Sequence, residues 1–227
     1  MCPTAVPECS NDYAIDFRAP FDFEISRSAL LVIDLQYASA SRYHGLGRLL
    51  AERGEANRGA WRFDRIEQQV VPNVRRLLDR YRSVGSPVVY VALGSRTGSF
   101  DDVAPFLRPL MVATNNRVGS PNHEILELVA PSPGDSVVIK TTAGGFLGSD
   151  LYDVLLRLGV DQVVLTGVST NSCVESTGRE AADLGYPCVL VDDACAAASA
   201  QLHRASVISF GRLFGRVLTT DTLLSQR

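Results

Sequence analysis

Six short runs rich in β-branched residues recur along the chain, and amphipathic stretches separate them. The runs are ALLVID at 29–34, PVVYVAL at 87–93, SVVIK at 136–140, QVVLTGV at 162–168, PCVLVDD at 187–193 and RVLTT at 216–220. Most are continuously apolar rather than alternating, which is the pattern of strands covered on both faces. Between them the apolar spacing turns helical. Ile66, Val70, Leu77, Leu78, Tyr81 and Val84 place a helix over about 65–84, with Gly85 as its stop. Leu151, Val154, Leu155 and Leu158 place another over about 149–158, capped by Ser149 or Asp150 and ended by Gly159. A third starts near Cys173 and ends at Gly185, and a fourth spans about 199–213. Strands and helices in alternation predict an α/β fold of three layers, α/β/α, around a doubly wound, mostly parallel sheet of about six strands.

The 227 residues suffice for one such domain, 1–227, and neither a repeat nor a linker divides it. Two segments stand outside the alternation. Residues 1–27 are expected to form an N-terminal arm over the surface. Residues 38–64 are too long for an ordinary strand-to-helix connection and carry Arg42, Arg48, Arg53, Arg58 and Arg62. That stretch reads as a lid, an oligomer contact or a passive insertion. The 22 basic residues against 25 acidic ones leave a net charge of −3, which gives no general attraction to nucleic acid or to an anionic membrane. A small-molecule enzyme is therefore favoured. The first twenty residues lack a basic stretch followed by an apolar run, so no secretory signal is expected, and no apolar stretch is long enough to span a bilayer. Cys2, Cys9, Cys173, Cys188 and Cys195 are odd in number and include no close CxxC pair, as suits a reducing cytoplasm. Four of them read as buried filler or incidental tail residues, and Cys173 is the exception.

In an open α/β sheet, ligands bind beyond the carboxyl ends of the strands. Asp34 ends the first run and is followed by Leu35 and Gln36, while Lys140 ends the third. The fourth leads into GVSTNSCVEST, which sets Cys173 where a helix begins. A cysteine there gains thiolate character from the helix dipole and the free amides, and the Lys140 ammonium adds to it. Asp34 can take the thiol proton and later return it to a leaving nitrogen. Each residue alone has an ordinary use, as a helix cap, a solvated charge or a buried filler. Their joint occurrence at one sheet edge is what points to a site.

Four motifs carry a resemblance: LLVIDLQ at 30–36, VVIKTTAGGFLGSDL at 137–151, VVLTGVSTNSCVESTGREAADLGY at 163–186 and VLVDDACAA at 189–197. They resemble the cysteine-hydrolase branch of the isochorismatase-like superfamily over about residues 28–220, in wording nearest to the ureidoacrylate and biuret hydrolases. The resemblance implies the isochorismatase-like hydrolase fold and a triad of Asp34, Lys140 and Cys173. It implies hydrolysis of a C–N bond in a small amide, carbamoyl or ureido substrate through a thioester, releasing ammonia or an amine. It also implies a cis peptide at Val168–Ser169, an oxyanion hole from the amides of Ser169 and Cys173, and assembly into a dimer or tetramer. Nicotinamidases in this superfamily carry a metal-binding Asp-x-His cluster after the second strand, whereas ALGSRTGSFDD at 92–102 has no histidine. His44, His123 and His203 lack ligand spacing, so neither a metal nor another cofactor is expected.

Weaker substrate contacts are Gln36, Arg96, Phe146 and Asn171, with Arg96 offering a bidentate fork to a carboxylate. Thr170 and Thr177 are expected to make local backbone hydrogen bonds. The arginines of 42–65 bring positive charge toward the site, which favours an anionic or carbonyl-rich substrate. Other readings stay open at this point. A binding or regulatory module can use the same fold, and an isochorismatase-type ether hydrolase would not need Cys173. A redox pair of Cys173 with Cys188 or Cys195 lacks the usual spacing, and no GxGxxG follows the first run.

Overall fold

The computed structural model describes residues 13–17 and 19–226. Among these, the strands are β1 (Ser28–Ile33), β2 (Val88–Leu93), β3 (Ser136–Lys140), β4 (Gln162–Val168), β5 (Cys188–Ala196) and β6 (Arg216–Leu218). They form one sheet in the order β3-β2-β1-β4-β5-β6, and every neighbouring pair is parallel. The sheet is thus wholly rather than mostly parallel. The chain starts in the middle, winds outward through β2 and β3, then crosses back to β4 and winds the other way. Its direction reverses between β1 and β4, and at such a switch point a crevice opens at the carboxyl ends. Gly167, near the end of β4, lies opposite Ile33 at φ +112°, where an added Cβ would stand 2.0 Å from the Ile33 carbonyl oxygen. Only glycine lets the two strands run this close to the crevice.

The helices are α1 (Tyr37–Ala40), α2 (Gly45–Glu52), α3 (Ala60–Arg65), α4 (Val71–Ser83), α5 (Arg108–Ala113), α6 (Leu151–Leu158), α7 (Glu175–Asp183), α8 (Ala200–Leu213) and α9 (Thr220–Leu224). Alternate residues of β1 explain its unbroken apolar run. Leu31 and Ile33 join a core with Leu151, Leu155, Ala181 and Phe210 from α6, α7 and α8. Leu30 and Val32 join another on the opposite face with Phe63, Val74, Leu77 and Leu223 from α3, α4 and α9. Two cores on the two faces of one sheet make the three predicted layers.

The helix expected over 65–84 begins earlier. It starts at Ala60 as α3, passes through a wide π-type turn at Ile66–Val70 and continues as α4. Its first turn was hidden because Arg62 occupies an inward position and breaks the apolar period. Residues 38–64 are accordingly a chain of short helices rather than a long loop. The third expected helix also divides, into a wide turn at Thr170–Val174 and then α7. Gly159 and Gly185 stop their helices at φ +67° and +89°, as their positions predicted. Within the arm, Phe23 and Ile25 are buried in the second core, and the Gln162 side chain bonds the carbonyl of Asp22 at 2.8 Å and the amide of Glu24 at 3.0 Å. Cys2 and Cys9 lie outside the described residues. No helix among the described residues is long and apolar enough to cross a membrane.

Candidate active site

The switch point gathers the residues that the sequence scattered. Asp34 leaves β1 at φ +52°, an uncommon conformation for a residue with a Cβ, and its side chain is buried. Oδ1 accepts the Leu93 amide at 2.8 Å, and Oδ2 lies 3.1 Å from Lys140 Nζ but has no aligned hydrogen bond. Lys140 is completely buried, and its ammonium also donates to the carbonyls of Thr142 at 3.1 Å and Ala143 at 2.8 Å. Cys173, buried within the wide turn, has its thiol in electrostatic contact with both Asp34 and Lys140. Asp34, Lys140 and Cys173 therefore meet.

The electrostatics differ from the expectation of a favoured thiolate. Burial and then the Asp34 carboxylate push the Cys173 thiol up to about 11, against the opposing pull of Lys140. Desolvation and a like charge both penalise the thiolate, and together they exceed what one ammonium returns. Burial works against the Lys140 ammonium too, but Asp34 and Cys173 outweigh it and hold the Lys140 pKa above its ordinary value. Cys188 and Cys195 are free and buried, and burial also raises both thiols, Cys188 to about 12.

Behind Asp34, Gln36 turns away from the carboxylate. Its Nε2 donates to the His123 carbonyl at 2.7 Å and faces His123 Nδ1 at 2.8 Å, while Oε1 is buried without a hydrogen-bond partner. Asn116 Oδ1 lies 3.1 Å from the same ring nitrogen, and Asn116 Nδ2 donates to the Leu93 carbonyl. Burial lowers the His123 pKa despite the Leu93 carbonyl and the Asp34 charge. A Cβ on Gly94 would stand 2.5 Å from His123 Nδ1, so glycine is what admits the imidazole.

On the other side stand groups that the spacing did not reveal. Arg62 of α3 is 5% exposed, and its Nη1 donates to Ser169 Oγ at 2.7 Å. Its Nε and Nη2 donate to the Ser39 carbonyl at 3.1 and 3.0 Å. Burial lowers its pKa to about 10, while Cys173 and Asp34 pull it the other way. The Val168–Ser169 peptide is cis. Thr170 does not bond local backbone as expected. Its hydroxyl meets His203 Nδ1 at 2.8 Å, and His203 Nε2 reaches Asp192 at 2.6 Å. Thr177 does bond locally, donating to the Cys173 carbonyl at 2.7 Å. His123 and His203, judged by spacing alone, are brought to the site by topology, whereas His44 stays exposed against Ser41 and Tyr37. For Arg62 the only sequence signal was the local arginine content.

The weaker candidates separate. Arg96 Nη2 is engaged by the carbonyls of Ile139 at 2.6 Å and Gly148 at 3.2 Å, so it clamps the segment after β3 instead of presenting an open fork. Phe146 packs against the first core and the Tyr186 ring, and its amide donates to Glu180. Asn171 is exposed in the wide turn that carries Cys173. Among the described residues, no three His, Cys, Asp or Glu side chains gather to hold a metal ion.

Comparison with known proteins finds relatives of the chain in sequence and in fold. The isochorismatase domain family matches residues 28–222. Ureidoacrylate amidohydrolase RutB of Variovorax paradoxus is 31% identical over 217 residues, covering 89% of this chain and 82% of its own. A cysteine hydrolase from Pseudomonas syringae pv. phaseolicola superposes with a TM-score of 0.76 at 25% identity, over 90% of this chain and 94% of that one. N-carbamoylsarcosine amidase from Thermoplasma acidophilum superposes with a TM-score of 0.65 at 26% identity, over 86% and 97%.

Proposed function

The chain belongs to the isochorismatase family and is a hydrolase of that family, and from that premise we propose that it cleaves a C–N bond of a small amide, carbamoyl or ureido compound without a metal ion, using Asp34, Lys140 and Cys173. The observation that carries this reading is Asp34 Oδ2, a buried carboxylate oxygen with no aligned hydrogen bond, 3.1 Å from the Lys140 ammonium and within reach of the Cys173 thiol. The names of the relatives, a ureidoacrylate amidohydrolase and an N-carbamoylsarcosine amidase, support the C–N bond as the target.

In the resting site the proton is on sulfur, because the thiol pKa stands near 11. Attack therefore needs a base in place. As Sγ bonds to the substrate carbonyl carbon, its proton passes to Asp34, and the amides of Ser169 and Cys173 receive the oxyanion. The tetrahedral adduct collapses to a thioester, and Asp34 returns the proton to the departing nitrogen. Water then attacks the thioester, giving one proton to Asp34; as the C–S bond breaks, Asp34 passes that proton to Sγ, which restores the thiol and the carboxylate and releases the acid product. Lys140 holds Asp34 in place and offsets its charge as the thiolate develops. An ammonia-release screen over ureido, carbamoyl and primary amide compounds, with a chelator control, tests the reaction. Cys173→Ala is expected to abolish release while preserving the fold; a rate near wild type in that variant refutes the reading.

A further inference from the structure

The ladder between β1 and β4 ends at the pair Ile33 and Gly167. Beyond that pair the two strands part, and Asp34 and Cys173 both lie past the parting. Asp34 directly follows Ile33, and Cys173 stands in the wide turn that follows Ser169. The Asp34 amide bonds the Val91 carbonyl of β2, which ties it to the other neighbour and not to β4. Backbone pairing between β1 and β4 therefore does not set the gap across which the carboxylate and the thiol face each other.

Arg62 spans that gap. Nε and Nη2 both donate to the Ser39 carbonyl, at 3.1 and 3.0 Å, and Ser39 Oγ in turn donates to the Asp34 carbonyl at 2.6 Å. Nη1 donates to Ser169 Oγ at 2.7 Å. The Ser169 carbonyl accepts the amides of Ser172 and Val174, at 3.0 and 3.2 Å, on either side of Cys173. One planar guanidinium thus joins the Asp34 segment to the Cys173 turn through two serines. The fork is rigid, so holding the Ser39 carbonyl with two nitrogens also aims the third at Ser169. Phe63, the next residue, packs into the second core and anchors the stem. Cys173 and Asp34 both act on the Arg62 charge, which puts the guanidinium beside the pair. Burying a cation against neutral acceptors is costly. An apolar side chain would fill the same place at lower cost, so the span is what the arginine supplies.

We infer that Arg62 is a positioning residue, a clasp that fixes the distance between Asp34 and Cys173 over which the thiol proton passes. The inference rests on the proposed hydrolysis for that proton transfer, and on the hydrogen bonds of Arg62 for the clasp. An arginine that only stabilised the fold would change the amount of active protein and leave the rate of each active molecule alone.

Acylation by p-nitrophenyl acetate tests the clasp without an amide substrate. Cys173 Sγ bonds to the acetyl carbon, the thiol proton passes to Asp34, and the ester C–O bond breaks to release p-nitrophenolate. With enzyme in excess, the dependence on enzyme concentration gives a limiting rate and a half-saturating concentration. Arg62→Ala is expected to lower the limiting rate by about 10- to 100-fold, as misplacing a reacting pair does, and to change the half-saturating concentration by less than about threefold. Ser169→Ala cuts one end of the clasp and is expected to lower the limiting rate by about three- to tenfold. The double variant should stay within about twofold of Arg62→Ala, because both changes break the same bond. Losses that multiply in the double variant, a loss confined to the half-saturating concentration, or a wild-type protein that the ester does not acylate at Cys173 overturns the inference. If Arg62→Ala does not fold, hydrogen exchange in Ser169→Ala decides. Segments 34–40 and 169–174 should both exchange at least about threefold faster than in wild type. Faster exchange in 169–174 alone, or in neither, overturns the inference as well. Ammonia release keeps the two readings apart. No release from any amide, with the acylation pattern intact, refutes the hydrolysis and leaves the clasp. Release by the wild type, with Arg62→Ala acylated at the wild-type rate, refutes the clasp and leaves the hydrolysis.

Discussion

The raised pKa of Cys173 makes a quantitative prediction about its reactivity. Burial and Asp34 lift the thiol from its ordinary 9.0 to about 11. A shift of about two units lowers the thiolate fraction at neutral pH by about 100-fold. A more basic thiolate is also more nucleophilic, and a Brønsted coefficient of about 0.4–0.5 over those two units restores about tenfold. The free enzyme should therefore be alkylated by iodoacetamide about tenfold more slowly than an ordinary cysteine near pH 7, before any hindrance from burial. The assay follows alkylation from about pH 6 to about pH 10 by peptide mapping, which separates Cys173 from Cys2 and Cys9. The rate should climb about tenfold per pH unit across the range with no plateau. Asp34→Asn removes a charge that raises the thiol pKa, so its alkylation at pH 8 should be faster than wild type while its ammonia release is lost. A plateau at or below pH 7 would refute the reasoning, because it would mean a resting thiolate paired with Lys140.

Other perturbations test the packing around the site. Lys140→Met leaves the buried Asp34 carboxylate unpaired, a loss of about 3–5 kcal/mol, or about 6–20 °C in Tm for a chain of this size. Adding Asp34→Asn should recover most of that loss by calorimetry, a recovery that a purely steric defect would not show. Gly178→Ala drives a Cβ to 2.5 Å from Leu165 Cδ1 and 2.6 Å from Phe210 Cε2, so urea unfolding should register a loss of about 1–3 kcal/mol.

The strands were legible because the sheet is covered on both faces. Leu30 and Val32 face one core and Leu31 and Ile33 the other, so the sequence shows an unbroken apolar run where an open sheet would show alternation. Strand ends were legible for the same reason: Asp34 and Lys140 are the first charged residues where each apolar run stops. The helix stops were marked by Gly159 and Gly185. The thiol's protonation was misread because it depends on burial and on its distance from Asp34, neither of which has a period in the sequence. Thr170 was misread similarly, since its partner His203 lies 33 residues away and reaches it only after α8 has folded back over the sheet.

Arg62 was invisible for a more general reason. Helical periodicity equates inward with apolar, and a buried arginine is read as an outward one, which shifts the apparent start of the helix from Ala60 to Ile66. That error and the unplaced segment 38–64 are the same error. The segment follows β1, whose carboxyl end opens the crevice, and it must cross that end before α4 can return along the face of the sheet. Residues added there do not disturb any strand register, yet they stand beside the Cys173 thiol. Arg62 uses that position: its long stem crosses from α3 to Ser169 while Phe63, one residue on, packs into the second core. A segment that could be a lid, an interface or a passive insertion thus has a fourth use on this sheet, to carry a charge to the crevice from outside the four motifs. The motifs hold Asp34, Lys140 and Cys173, and the connection after β1 brings the Arg62 guanidinium to Ser169 from outside them.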